Sequence, residues 1–140
     1  MQLSHTPHGA DASPSEKYSS STVWAETKRT ELYHRMRQFM ERYEFFVLPT
    51  VQVPPFDIDQ PYPTVVAGVP MTSYIDWMKS CWYISATGNP AASVPAGFTP
   101  EGLPVGVQIV GRDKQDFAVL QMAHAFEQAT NVAKRRPAIA

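Results

Sequence analysis

The run Gly102–Gly111, GLPVGVQIVG, constrains the fold of this chain more than any other stretch. Its valines and isoleucine are the residues of a buried strand. Yet three glycines and Pro104 interrupt it, and Gln108 is its one polar side chain. Glycine weakens a strand interior and usually marks a bend or the close approach of another element. A strand of this composition therefore implies specific neighbours.

Elsewhere the hydrophobic period changes several times. Leu32, Met36, Phe39, Met40 and Tyr43 form one apolar stripe, so a helix is expected from a cap at Ser21 or Thr22 to about Tyr43. Glu31 and Arg35 are spaced for an exposed i, i+4 pair. Phe45–Leu48, FFVL, is a continuous apolar run closed by Pro49, as in a strand covered on both faces. From Pro49 to Pro63, five prolines with Asp57 and Asp59 exclude helix and sheet interior. A loop of that length is functional or disordered. Thr64–Val66 and Met71–Thr72 flank a turn in a small expected hairpin. Ser73–Thr87 reads as a helix capped by Ser73 and ended by Gly88, with Pro90 beyond. Ala92–Pro95 and Val105–Val110 read as strands joined by a hairpin connection or a longer loop. Asp113 is expected to cap a last helix to about Thr130, with Phe117, Leu120, Met122, Ala123 and Phe126 inward. The fold class is α/β. Met1–Ser21, rich in Ser, Pro and His, reads as a flexible arm before a domain over residues 22–140.

Composition excludes several functions. A formal charge of −1 with mixed signs gives no reason to expect nucleic acid or an anionic membrane. The basic cluster Lys134–Arg136 reads as solvated surface. No apolar run approaches the ~20 residues of a transmembrane helix, and the first residues lack the apolar core of a secretory signal. A single cysteine, Cys81, favours a reducing compartment, so a cytoplasmic protein is expected.

The reactive residue types form no motif by themselves. His5 and His8 lie in the arm, while His34 and His124 fall on separate helices without a ligand partner at i, i+4, so no metal or cofactor is expected. Cys81 is placed near the end of its expected helix, where the dipole disfavours a thiolate, and reads as a packing residue. Asp57 and Asp59, two apart in an extended loop, point opposite ways. Ser19–Ser21 lack the flanking glycines of an activated serine turn and read as linker. Tyr74, Trp77, Met78 and Cys81 fall at i, i+3, i+4, i+7, an aromatic and sulfur-rich helix face. That face is either core or the wall of a pocket for an aryl or acyl group.

Thr87–Thr99, TGNPAASVPAGFT, followed by Glu101–Arg112, EGLPVGVQIVGR, and then Ala125–Thr130, AFEQAT, resembles the C-terminal portion of amidase signature enzymes. Phe45–Thr50, FFVLPT, and Tyr74–Met78, YIDWM, are similar to upstream pieces of the same family, so the resemblance covers about residues 22–140. It implies the C-terminal part of an α/β fold with a mixed central sheet covered by helices, incomplete in this chain. Gly102–Gly111 is then a scaffold strand: Gly102 and Pro104 turn into it, Gly106 permits close packing, Gly111 ends it, and Gln108 is a buried amide that must find partners.

The family hydrolyses carboxylic amides with a serine nucleophile, a second serine in a cis peptide and a lysine base. No Gly-Gly-Ser-Ser-Gly-like run occurs here, and Lys79 lies in surroundings unlike those of the catalytic lysine. The resemblance thus implies no catalytic residue in this chain, and Tyr74, Trp77, Met78 and Cys81 as substrate-channel residues. The expected ligand is a small amide bound together with the missing N-terminal portion. The expected protein partner is that portion or another copy of the chain. The alternative is a non-catalytic binding module that keeps the apolar channel wall.

Overall fold

The computed structural model describes residues 14–135, with side chains from Ser20 onward. Three helices, α1 (Pro14–Met40), α2 (Lys79–Thr87) and α3 (Asp116–Thr130), surround a sheet of β1 (Phe45–Pro49), β4 (Ala91–Phe98) and β5 (Pro104–Gly111). A small hairpin, β2 (Val65–Val66) with β3 (Val69–Pro70), interrupts the loop before α2. The main sheet runs in the order β1-β5-β4 and is antiparallel throughout. The glycine-punctuated strand is therefore the central one.

On one face, Val110 packs with Met40 of α1 and Ile84 of α2, and Met36, Phe46 and Leu48 close around them. On the other, α3 crosses β4 and β5. Gly111 sits where α3 comes nearest, and a Cβ there would collide with Val119 Cγ2. Arg112 closes the end of α1, its Nε donating to the Met40 carbonyl at 2.9 Å.

Several expectations are corrected. α1 is already helical at Pro14, ahead of Ser21 and Thr22, so Ser19–Ser21 are helical and not linker. The rest of the arm, with His5 and His8, lies outside the described residues. Glu31 pairs with Lys28 at 2.8 Å instead of Arg35. The second strand of the small hairpin is Val69–Pro70, not Met71–Thr72, because Ala67 and Gly68 both take positive φ and make a two-residue turn. Asp57 and Asp59 do not lie in extended chain: Asp57 accepts from the Asp59 backbone N–H at 2.9 Å in a tight turn.

Asp113 does not cap α3. Lys114 takes a φ of 60° between them, and Asp113 instead accepts from the Tyr33 hydroxyl at 3.2 Å. The inward face of α3 is Val119 with Met122, Ala123 and Phe126, whereas Phe117 and Leu120 are 71% and 61% exposed. Nor is β1 covered on both faces, since Val47 is 46% exposed.

Among the described residues both outer strands keep open edges. Thr50 N–H donates to the Gly106 carbonyl and Gly111 N–H to the Pro90 carbonyl. Alternation along the two ladders then turns the backbone polar groups of Phe45 and Val47 on β1, and of Ala91 and Ser93 on β4, outward. Pro49 and Pro95 occupy outward positions that lack an N–H, where proline is tolerated in an edge strand.

Candidate functional site

The segment after β1 builds the site. Gln108, 7% exposed, donates from Nε2 to the carbonyls of Pro49 (3.2 Å), Thr50 (3.4 Å) and Ser80 (3.1 Å). The Thr50 carbonyl also accepts from Ser80 Oγ and Cys81 Sγ, both at 2.9 Å. Gln52 Oε1 accepts from the Lys79 N–H at 2.7 Å and so satisfies the first turn of α2, which has no cap of its own. The start of α2 is thus tied to residues 50–52 and, through Gln108, to the central strand.

Before α2 the chain makes a separate turn. Asp76 Oδ2 accepts from the Thr72 hydroxyl and backbone N–H, both at 2.9 Å, and from the Ser73 N–H at 3.0 Å. The Thr72 hydroxyl, followed by the backbone and Ser73 donors, holds the Asp76 carboxyl below its ordinary 3.8. A depressed carboxyl pKa stabilises the fold above the ordinary value and loses that contribution as pH falls through the lowered one. The turn over Thr72–Asp76 should accordingly loosen below about pH 3.8 in the native protein. In Asp76→Asn that acid-dependent step should vanish. Amide exchange at Thr72 and Ser73 across pH measures this; equal profiles in both proteins would count against it.

The helix expected from Ser73 is therefore a 3₁₀ turn, Asp76–Met78, followed by α2, with no cap from Ser73. Gly88, with a φ of 77°, ends α2 as expected. A 3₁₀ turn advances three residues per turn, so the 3.6 spacing of Tyr74, Trp77, Met78 and Cys81 does not project them onto one helix face. Cys81 lies in the first turn of α2, not near its end.

Two cavities open on this face of the sheet. One, of about 570 Å³, is bounded by residues 49–56, Trp77, Ser93 and Ala96 of β4, and Pro104–Val107 of β5. The other, of about 370 Å³, lies between Cys81, Ile84 and Ser85 of α2 and residues 89 and 91–93, with Thr50 and Gln108. Thr50 and Ser93 line both, their hydroxyls 2.8 Å apart. Of the four residues expected at the site, Trp77 lines the first cavity and Cys81 the second, while Tyr74 and Met78 line neither. Tyr74 remains close, its ring edge-on to Trp77 at 6.1 Å, and Phe56 meets Trp77 edge-on at 5.3 Å. The Trp77 Nε1 is buried without a hydrogen-bond partner. Among the described residues no group of three His, Cys, Asp or Glu side chains could hold a metal ion, and no helix could cross a membrane.

Sequence reasoning misses Thr50, Gln52, Phe56 and Ser93. The signal available is the proline-rich length of residues 49–63, which marks a functional or disordered loop without saying which of its residues turn inward.

The family model described as Amidase covers residues 4–120. A glutamyl-tRNA(Gln) amidotransferase subunit of Geobacillus kaustophilus (strain HTA426) is 34% identical over 131 residues, 94% of this chain and 26% of that protein. An acylamidase of Rhodococcus erythropolis is 35% identical over 115 residues, 81% of this chain and 24% of that protein. Among solved structures, a bacterial aryl acylamidase of the amidase signature enzymes superposes with a TM-score of 0.70 at 27% identity, covering 89% of this chain and 25% of that one. The chain belongs to the amidase family. It spans about a quarter of the length of the relatives it matches.

Proposed function

We propose that this chain is the C-terminal portion of an enzyme that hydrolyses carboxylic amides to acid and ammonia or amine, and that it is inactive alone. One observation carries this reading: a high-coverage match to amidases that accounts for only about a quarter of their length. No Gly/Ser-rich nucleophile segment occurs in the sequence, and among the described residues the ionic partner of Lys79 is Asp76, at 4.0 Å. Residues 22–140 act as one unit, the C-terminal portion of an amidase-like α/β domain, in which the strand Gly102–Gly111 supports the reaction centre from behind. Of the expected substrate wall Tyr74, Trp77, Met78 and Cys81, Trp77 faces the ligand in the larger cavity with Tyr74 backing it edge-on, Cys81 faces the adjoining cavity, and Met78 lines neither. The missing catalytic segment comes from an N-terminal amidase portion.

The open edges of β1 and β4 and the exposed Val47, Phe117 and Leu120 support a requirement for such a portion, or self-association in its absence. The unpaired Cys81 supports a cytoplasmic location. Purified chain given a panel of aryl and alkyl amides should release no ammonia or amine above a heat-killed control. Turnover by the chain alone would overturn the reading.

A further inference from the structure

Gly106 of β5 lines the 570 Å³ cavity, as do Phe56 and Trp77, whose rings meet edge to face. A Cβ at Gly106 would stand 3.1 Å from Thr50 Oγ1 and 3.3 Å from Ser93 Oγ, directly over the hydroxyl pair. The bare backbone therefore leaves those hydroxyls open to the cavity. Their mutual bond at 2.8 Å uses one hydroxyl proton, so the pair keeps one donor and free acceptor lone pairs. The edge of a primary carboxamide, where one N–H lies beside the carbonyl oxygen, complements that set. The aromatic wall suits a flat ring, and the volume falls within the range of about 300–1,000 Å³ common for small-molecule sites.

We propose that the Thr50–Ser93 hydroxyl pair under Gly106 is the specificity-determining floor of this cavity, engaging the amide edge of an aryl amide whose ring lies against Phe56 and Trp77. The proposal rests on reading this face as the substrate wall. It assigns that role to three residues beyond the aromatic and sulfur-rich set, and it makes Gly106 the residue that sets the depth of the site.

The test is titration of the full 140-residue chain with benzamide, whose primary amide carries an N–H and the carbonyl on one edge, followed by backbone amide shifts, which also report whether each variant is folded. Saturable shifts at Thr50, Trp77, Ser93 and Gly106 are expected. Gly106→Ala, which covers the hydroxyls, should weaken binding about tenfold, and Ser93→Ala, which adds no atoms, about threefold. Gln121→Ala, at an exposed position of α3 that lines neither cavity, should leave it unchanged. If Gly106→Ala does not fold, Ser93→Ala decides. Unchanged affinity in the folded floor variants overturns the proposal, as does the absence of any saturable shift in the native chain. Neither result bears on whether the chain completes an amidase, which is decided by turnover.

Discussion

Gln108→Glu should destabilise this protein more than Gln108→Leu, although glutamate is the closer match in shape. The native amide presents its NH₂ group to three backbone carbonyls that lie at the end of β1 and the start of α2. Leucine removes the donor and leaves those carbonyls short of partners, a loss of about 2–3 kcal/mol. Glutamate places a carboxylate oxygen against the same carbonyls in a buried position, and an uncompensated buried charge costs about 3–5 kcal/mol. Burial raises a carboxyl pKa, so the folded variant would bind its proton more tightly than the unfolded chain. Its stability should then recover as pH falls below the raised value, where the acid can donate one hydrogen bond. Urea midpoints at pH 7 and pH 5 measure both effects. A glutamate variant as stable as native at pH 7 would show that Gln108 does not join these elements.

Gly111→Ala should lose about 1–3 kcal/mol through overpacking against α3. The new methyl meets Val119 Cγ2, and Val119 is buried and β-branched, so it has little freedom to turn aside. In a Val119→Ala background the same substitution should be close to neutral, which corresponds to a coupling of about 1–3 kcal/mol between the two sites. Additive losses would mean that the glycine is required for something other than the passage of α3. Sequence alone assigns Gly111 to the end of the strand; the contact with Val119 adds why no side chain fits there.

How much of the fold and site is legible in the sequence depends on range. β1, β4 and β5, and the ends of α2 and α3, follow from apolar runs and local stop signals such as Gly88. The buried role of Gln108 can be inferred from one polar residue in an apolar strand, but its three acceptors come from segments 28 to 59 positions away and have no signature in the strand itself. The α3 face is misjudged because Phe117 and Leu120 are as apolar as Val119, and periodicity cannot tell a covered face from one left uncovered by an incomplete fold. The site face fails for a local reason: the Asp76 carboxylate organises a turn where the composition suggests an unbroken helix. The hydroxyl pair of Thr50 and Ser93 joins residues 43 positions apart and belongs wholly to tertiary structure.

The central claim is that this chain completes an amidase, and a chimera tests it most directly. The quarter of the Rhodococcus erythropolis acylamidase that this chain matches would be replaced by this chain, and amine release from an amide substrate of the parent enzyme measured. The account predicts turnover by the chimera and none by either part alone. A folded, soluble chimera with no turnover, beside an active parent enzyme, would contradict it.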